Sequence, residues 1–349
     1  MSYHSRRQLL QTTLLSGIPW LIGCRQKSES TSTLSTNRTS PTDRSPTETD
    51  HSIITDSSTP SPPAVAHAVP STSASTAYGD LQGRIVFDGP RPNSRRLTVD
   101  ADREFCDAFE IYDESLVLES NTAQSTTAPG IAHIFIYCRT RNIQPHPDYL
   151  AEKTDVLLDN RDAIFKPHAL TLWVGQQRLQ IVNSDPIAQN VAFSPLGDRA
   201  ANLVLPPKQP DTTPEIFWEF RRPQPIPCPI VCHYHAWELA YILPHANPYC
   251  TLTAHDGTFQ LTRLPAGTHE LFFWHEKFGP LDFTTTDASG TVHRCEKGRL
   301  PLTISRDSIT TLAPIHLQER NVSLSSQLAL QAVGLERYVI PTHIALASH

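Results

Sequence analysis

Alternation of apolar and polar residues with a period of two is the feature that most constrains how this chain folds. It recurs in short runs that are rich in β-branched and aromatic residues and are mostly bounded by Gly, Pro, Asn or Asp. Because successive side chains of a strand point to opposite faces, such runs are typical of sheets with one buried face. The clearest runs are Leu81–Phe87, Ala132–Tyr137, Leu170–Val174, Leu179–Asn183, Gly257–Leu261 and His269–Trp274.

Apolar residues at helical spacing are scarce. The best candidate lies near the C-terminus, where Leu324, Leu328, Ala332 and Leu335 recur at this spacing. We therefore expect an all-β protein made of β-sandwiches, and we assign residues 316–349 to a C-terminal tail that contains the best candidate for a helix.

The N-terminus resembles an export signal. Arg6 and Arg7 lie in SRRQLL, which resembles a twin-arginine signal, and the apolar run after them is shorter than the about 20 residues of a membrane-spanning helix. Cys24 ends LIGC, which resembles a bacterial lipobox, where cleavage before the cysteine leaves a lipid on it. We expect residues 1–23 to be a signal peptide and the mature chain to be a lipoprotein, in the periplasm or on the cell surface. An uncleaved anchor helix is the alternative.

Composition shifts sharply after this signal. Residues 24–78 are dominated by Ser, Thr and Pro, which cannot bury enough apolar surface to offset the entropy lost on ordering. We interpret them as a disordered tether, with a glycosylated stalk as the alternative. The net charge is −6 and no long Lys/Arg cluster follows the signal, so we expect the membrane, and not nucleic acid, as a partner.

Two stretches that lie far apart in the sequence carry strand patterns that fit two halves of one domain. The segments are GDLQGRIVFDGPRP at 79–92 and AHDGTFQLTRLPAGTHELFFWHE at 254–276, the second with a tight turn at Asp256 and Gly257. Together they resemble the opening and closing halves of a carboxypeptidase-regulatory-like (transthyretin-like) sandwich. More than a hundred residues separate them here, so we expect a split domain at 79–159 and 247–315.

The intervening segment carries a second pattern. A predicted strand ends at Asn183, the pair Gln189-Asn190 follows, and the sequence CHYHAWE begins at Cys232. This resembles the cupredoxins, most closely amicyanin-like and methylamine-utilisation-type proteins, in which a His-Asn pair and a Cys-x-x-His-x-x-Met loop occupy these places. The resemblance implies a cupredoxin-like Greek-key sandwich at 160–246, inserted in the other domain so that residues 134–136 pair with residues 251–253.

Copper is the cofactor that this resemblance implies. A type-1 copper site uses two imidazoles and a thiolate in a plane, with a weak axial thioether. Aligned with that pattern, Cys232 supplies the thiolate and His235 one imidazole, while Gln189 replaces the other imidazole and Glu238 replaces the axial methionine. The resemblance therefore implies a degenerate type-1 site, in which an amide oxygen is a poor substitute for an equatorial imidazole.

Several alternatives for the loop remain open. His233 or His168 could replace the missing imidazole, although side-chain alternation points His233 away from Cys232. Cys228, Cys232, His233 and His235 could form a zinc or Cu(I) site, with a spacing that matches no common structural site. Cys232 and His235 could act as nucleophile and base, but the sequence indicates no third orienting residue. The loop could also be an ordinary sandwich corner, with Cys228 and Cys232 joined in a disulfide.

These observations favour a binding role over catalysis. The chain has no Gly-x-Ser-x-Gly sequence, no nucleotide-binding loop and no distinctive pair of carboxylates. We expect a lipid-anchored, extracytoplasmic module that binds a protein or a glycan and is not an enzyme, with no working copper site. The alternatives are a copper-binding electron-transfer protein and a glycan-binding or accessory module of a secreted enzyme system.

Overall fold

The computed structural model describes residues 77–120, 128–151 and 154–318, and within these ranges it is almost entirely β. The strands are β1 (Tyr78–Phe87), β2 (Phe135–Cys138), β3 (Val156–Arg161), β4 (Ile164–Lys166), β5 (Ala169–Trp173), β6 (Leu179–Asn183), β7 (Gln189–Phe193), β8 (Ala201–Leu205), β9 (Glu215–Trp218), β10 (Cys228–Val231), β11 (Leu239–His245), β12 (Cys250–Leu252), β13 (Thr258–Pro265), β14 (Gly267–His275), β15 (Gly279–Pro280), β16 (Phe283–Thr286), β17 (Val292–Cys295), β18 (Arg299–Ile304), β19 (Ile309–Thr311) and β20 (Ile315–Leu317). The helices are α1 (Arg103–Cys106) and α2 (Pro147–Ala151). The predicted all-β class is confirmed.

Some predictions concern parts of the chain outside the described residues. These are the export signal, the lipidated Cys24, most of the tether and the tail helix. Neither α1 nor α2 combines the length and apolar character that crossing a membrane would require.

Strands β3 to β11 form two sheets that we call the inner sandwich. One sheet has the order β4-β3-β6-β9 and the other the order β5-β11-β10-β7-β8. Apolar side chains of both sheets meet in one buried cluster, which includes Leu158, Phe165, Leu172, Ile181, Val191, Phe193, Ile230 and Ile242. Strand β10 runs antiparallel to β7, with Val231 opposite Ala192. The loop after β10 therefore lies beside the start of β7, at one end of the sandwich.

The remaining strands form what we call the outer sandwich. Strand β1 pairs antiparallel with β13 and parallel with β19 and β20, and strands β12, β2, β14 and β15 form a neighbouring sheet with β18 at β14. In that sheet Thr251 lies opposite Ile136 and Leu252 opposite Phe135. The predicted pairing of these two stretches, which are over a hundred residues apart in sequence, is therefore present.

The two sandwiches pack against each other through one sheet of each, on the face that points away from that sandwich's own core. Phe135, Tyr137, Phe272 and Trp274 of the outer sandwich contact Ala169, Tyr241 and Leu243 of the inner one, in a single buried cluster. All strands of the inner sandwich lie between Val156 and His245, whereas the outer sandwich uses strands from both sides of that range. This arrangement supports our proposal that the inner sandwich is an insertion in the outer one.

A loop from the outer sandwich covers one end of the inner sandwich. We call residues 95–113 the cover segment, and two backbone hydrogen bonds join its ends, from Leu97 N to Ile111 O and from Asp113 N to Arg95 O, each 2.8 Å long. Its apolar side chains, including Leu97, Val99, Phe105, Cys106, Phe109 and Ile111, pack with Ala163, Ile164, Ile187 and Trp237 of the inner sandwich. The cover segment thus buries the loop that follows β10.

Candidate metal centre

The loop from Cys232 to Glu238 is a compact turn that directs three polar side chains inward. Glu238 N donates to His235 O at 3.0 Å, and Cys232 N donates to Glu238 O at 3.4 Å, which closes the turn between β10 and β11. His235 N donates to Cys232 Sγ at 3.3 Å. Trp237 anchors the loop, because its indole N–H donates to Ala163 O at 2.9 Å.

Four side chains converge at this turn, and all of them are buried. His235 Nδ1 lies 3.6 Å from Cys232 Sγ, 3.0 Å from Glu238 Oε1 and 2.9 Å from Gln189 Oε1. Cys232 Sγ lies 3.7 Å from Gln189 Oε1. The thiol, the imidazole and the carboxylate each place a ligand atom within 4.8 Å of the others. The structure therefore brings together the four residues that the sequence pattern singled out.

The separations between these atoms fit a four-coordinate metal ion. Tetrahedral ligands at zinc-like bond lengths lie about 3.6 Å apart for a nitrogen and a sulfur and about 3.4 Å apart for a nitrogen and an oxygen. The separations that involve sulfur match this value, and those between His235 Nδ1 and the two oxygens are a few tenths of an ångström shorter. Small side-chain shifts would complete the geometry.

The carboxylate of Glu238 supplies the strongest indication of a missing cation. Glu238 Oε2 accepts a hydrogen bond from Asn160 Nδ2 at 3.1 Å. Glu238 Oε1 is buried, lies outside hydrogen-bond geometry with His235, and has no hydrogen-bond partner among the described residues. His235, 3.0 Å away, is its ion-pair partner, and a metal ion would supply the directional contact that this buried oxygen lacks.

Neighbouring residues orient the donors of the centre. Gln189 Nε2 donates to Asp185 Oδ2 at 3.3 Å, an assignment that directs Gln189 Oε1 toward Cys232 and His235. Asp185 is itself buried and accepts hydrogen bonds from two backbone N–H groups of the β3–β4 turn, at 2.8 Å and 3.0 Å. Because a carboxylate only accepts hydrogen bonds, Asp185 holds the amide in the orientation that presents its oxygen to the centre.

Sequence analysis missed Asp102, which contacts the far side of the His235 ring. Asp102 Oδ2 lies 2.9 Å from His235 Nε2 and comes from the cover segment, just before α1. A carboxylate at Nε2 holds a proton there and leaves the Nδ1 lone pair for a metal, as in many histidine ligands. The two residues are 133 positions apart, and the cover segment has no periodic pattern, so the sequence contains no signal for this contact.

The titration of the centre follows from its burial and contacts. Burial opposes the charged form of His235, but the contacts with Cys232, Glu238 and Asp102 outweigh it and raise the pKa of His235 to about 10. Burial also raises the pKa of Glu238, although His235 and Asn160 oppose this change. The pair therefore keeps its protons to higher pH than the isolated groups do, and a metal ion must displace a proton to bind.

The structure does not place the two predicted substitute imidazoles at the centre. The side chain of His233 is exposed, and its backbone N–H donates to Asn190 Oδ1 at 3.0 Å. His168 Nε2 contacts the Glu276 carboxylate, in a separate cluster between the sandwiches. The centre therefore contains one imidazole.

The alternatives that involve Cys228 are also not formed. Cys228 and Cys232 are free thiols, so no disulfide joins them. Cys228 Sγ instead contacts Pro229 O at 3.6 Å, and because His233 points to solvent, the four-residue zinc or Cu(I) site is absent from the described residues.

Comparison with known proteins gives limited likenesses. No protein-family model matches the chain, and no curated protein does. Among solved structures, a Cu-containing nitrite reductase (NirK) from Thermus scotoductus SA-01 matches with 16% identity and a TM-score of 0.23, over 27% of this chain and 23% of that one. Amicyanin from Paracoccus versutus matches with 13% identity and a TM-score of 0.22, over 32% and 97% of the two chains. A purple cupredoxin from Nitrosopumilus maritimus matches with 15% identity and a TM-score of 0.20, over 26% and 99%.

We infer the chemistry of the centre from the atoms of this chain and not from these likenesses. The matched region spans less than a quarter of the nitrite reductase chain, and the TM-scores are all low. The names of these proteins accordingly carry no conclusion about what this chain binds.

Proposed function

We propose that the chain is a metal-binding module, not an enzyme, whose centre holds one copper ion through Cys232, His235, Glu238 and Gln189. The convergence of a buried thiol, an imidazole and the Glu238 carboxylate, whose Oε1 accepts no hydrogen bond from the described residues, carries this proposal. Copper is favoured because thiolate and imidazole ligands suit copper, and because the sequence from Cys232 to Glu238 resembles the copper-binding loop of the cupredoxins.

The ligand set argues against a standard type-1 centre. A trigonal plane of two imidazoles and a thiolate needs a second histidine, and Gln189 offers an amide oxygen in its place. Carboxylate and amide oxygens are hard donors, which favour Cu(II) over the softer Cu(I). We infer a centre that holds copper in one oxidation state better than it exchanges electrons, which supports a binding role over the electron-carrier alternative.

Each residue has a distinct role in this proposal. Cys232 and His235 bind the ion through Sγ and Nδ1, Glu238 neutralises its charge, and Gln189 completes the coordination. Asp102 holds the proton of His235 on Nε2, away from the ion. A bound copper ion would supply a positive charge and a Lewis acid at this point.

Closure of the centre supports a structural or storage site. Four protein donors fill a tetrahedral site, whereas catalytic metal sites keep a position for water or substrate. All four donor residues are buried, and the cover segment and Trp237 pack over the loop. A substrate therefore has no path to the ion in this arrangement.

The cellular setting is a separate proposal that rests on the sequence alone. Arg6 and Arg7 support export, and Cys24 supports a lipid anchor on a membrane outside the cytoplasm. The module would then act there, with a protein or a glycan as its partner.

Copper titration of the full-length chain tests the proposed function. We expect an absorption band from thiolate-to-copper charge transfer that saturates at one equivalent of Cu(II), without the intense visible band of a type-1 centre. Cys232→Ser should abolish the band, and Glu238→Gln should weaken binding about 100-fold, or about 2.7 kcal/mol.

A matched control is Cys228→Ser, which removes a buried thiol four residues away in the same hairpin. It should leave the band unchanged. Absence of a thiolate band in the wild-type chain, or equal loss in the Cys228 and Cys232 variants, would overturn the proposal.

A further inference from the structure

Two loops display arginines at the end of the inner sandwich that lies away from the metal centre. They are residues 194–200, between β7 and β8, and residues 219–227, between β9 and β10. Because β10 runs antiparallel to β7, these loops lie side by side, whereas the metal-binding loop follows the other end of β10. The side chains of Arg199, Arg221 and Arg222 are exposed there.

A single carboxylate fixes the backbone of these three arginines. Asp198 Oδ2 accepts hydrogen bonds from Arg221 N at 2.7 Å and from Arg222 N at 2.9 Å. Asp198 Oδ1 accepts a hydrogen bond from Arg199 N at 2.7 Å. The carboxylate thus joins the two loops through backbone N–H groups and leaves the guanidinium groups to other partners.

Two guanidinium groups are held at the edges of this surface. Arg199 lies over the Trp218 ring, 4.7 Å from its centroid, and its Nη2 donates to Glu219 O at 3.1 Å. Arg139, which follows β2 in the outer sandwich, contacts the carbonyl oxygen of Pro225 in the second loop. We call Arg139, Arg199, Arg221 and Arg222 the arginine patch.

The arginine patch differs from most other arginines of the fold in its lack of acidic partners. Arg84, Arg95 and Arg178 each form an ion pair with a carboxylate at 3.0 Å or less. Among the described residues, no carboxylate forms an ion pair with any arginine of the patch. Its positive charge is therefore available to a partner from outside the chain.

An exposed leucine lies within the arginine patch. Leu196 is 53% exposed, and the buried side chain of Gln224 holds its loop by donating to Leu196 O at 3.1 Å and to Arg222 O at 3.2 Å. Guanidinium groups bind phosphate oxygens with two parallel hydrogen bonds. An apolar side chain beside basic groups inserts at the boundary between lipid headgroups and acyl chains. The combination suits a phospholipid surface.

We propose that the arginine patch, with Leu196, docks on a membrane that contains anionic phospholipids. This inference concerns the face of the folded domains that meets the membrane, and it rests on the extracytoplasmic membrane setting proposed above. The chain has a net charge of −6, so an anionic surface repels the protein as a whole and the patch selects one orientation. Leu196 favours lipid over a soluble anionic glycan, because an exposed leucine gains little from a solvated polyanion.

The expected strength of this contact follows from the charges. An arginine near an anionic membrane surface contributes about a 5-fold increase in affinity, so the three loop arginines together contribute about 100-fold. Such a contact is weak for a free protein. A tether that already holds the chain at the membrane would raise the effective concentration enough for a weak contact to set the orientation.

Vesicle cosedimentation of the full-length Cys24→Ser chain tests the proposal. We expect binding to vesicles of phosphatidylcholine with phosphatidylglycerol, weaker binding to phosphatidylcholine alone, and a loss of the difference at high salt. Cys24→Ser carries no lipid, so the result does not depend on whether the anchor exists, and the two proposals fail separately. The N-terminal segment is the same in every variant, so differences between variants report the patch.

Substitution of the loop arginines should weaken this binding. The triple variant Arg199→Gln, Arg221→Gln, Arg222→Gln keeps the backbone N–H groups that Asp198 binds, and its affinity for anionic vesicles should fall about 100-fold. Leu196→Ser should lower the affinity about 5-fold, as expected when a half-exposed leucine loses its apolar contact.

Matched controls separate the patch from total charge and exposed apolar surface. The triple variant Arg96→Gln, Arg294→Gln, Arg306→Gln changes the net charge by the same amount at side chains that are 60%, 72% and 63% exposed. Its affinity should change less than about 5-fold. Val292→Ser, at a side chain that is 66% exposed, should have no effect.

Circular dichroism would confirm that each variant folds. Equal affinity of the two triple variants for anionic vesicles would overturn the proposal, as would no binding of the folded Cys24→Ser chain to these vesicles. Patch-dependent binding to polygalacturonate without binding to vesicles would also overturn it, because the partner would then be an anionic glycan. Glycerol phosphate in solution should not displace the bound chain, and displacement by it would show a site for a single phosphate in place of a docking surface.

Discussion

Acidification should destabilise the fold through buried neutral histidines, and His245 at the end of β11 isolates the effect. Its Nε2 donates to Cys138 O at 2.8 Å, and its ring packs edge-on against Tyr137 with the centroids 5.1 Å apart. Its Nδ1 is buried and has no hydrogen-bond partner among the described residues. Protonation of the ring would therefore bury a charged N–H group without an acceptor.

The size of the effect follows from linkage. Burial lowers the pKa of His245 to about 4, with Arg139 in support, although its hydrogen bond to Cys138 opposes the shift. A pKa that is depressed by folding contributes stability that is present above the unfolded value of about 6.5 and is lost as pH falls toward the folded value. Because the folded state keeps His245 neutral, the free energy of unfolding should fall by about 2 kcal/mol as the pH is lowered from 7 to 5.

The assay is urea denaturation, followed by circular dichroism, at several pH values between 7 and 5. His245→Gln keeps an amide N–H for Cys138 O and removes the titrating ring, so its free energy of unfolding should fall by about 2 kcal/mol less than that of the wild type over this range. Asn247→Ala is the control, because Asn247 Nδ2 also donates to Cys138 O, at 3.1 Å, and does not titrate. It should lower stability without changing the pH dependence. Equal pH dependence in the wild type and His245→Gln would refute the reasoning.

Two further predictions concern the metal centre and the anchor. Gln189→His should give the copper-loaded chain an intense visible absorption band, because it supplies the second equatorial imidazole. Adding Glu238→Met should increase that band, whereas Glu238→Met alone should change the spectrum little. A folded double variant that stays colourless would contradict the assignment of ligand positions. Cys24→Ser should move the protein from the membrane fraction to the soluble fraction after export, as detected by fractionation and blotting; retention in the membrane would contradict a lipid anchor.

Strand positions could be predicted well from the sequence because alternation reports burial directly. The run Leu179–Asn183 coincides with β6, and Leu81–Phe87 lies within β1. The run Ala132–Tyr137 was predicted to begin a strand too early, since β2 starts at Phe135. The physical reason is His133, whose positive φ of 64° interrupts the extended backbone.

The candidate site could be predicted only where its residues are close in sequence or follow a known spacing. Cys232, His235 and Glu238 lie in one turn, and Gln189 was placed by the resemblance to cupredoxins. Asp102 and Asn160 could not be found in this way, because their contacts depend on how distant segments pack. His168 was offered as a substitute copper ligand, and the structure instead places it against Glu276. That contact joins residues 108 positions apart, so the sequence contains no signal for it.

The order in which the strands are joined has a consequence for synthesis on the ribosome. The inner sandwich has all its strands once His245 has emerged, whereas β1, one of the first ordered segments to be made, pairs with β19 and β20 and must wait for Leu317. Translation at about 5–20 residues per second makes this wait several seconds longer than the completion of the inner sandwich. During that interval one edge of β1 can pair with β13, but the edge that receives β19 and β20 is unpaired, so a nascent chain that stalls before Leu317 exposes a strand edge that can pair with another copy. Vectorial synthesis thus makes the outer sandwich, and not the metal centre, the vulnerable part of biogenesis.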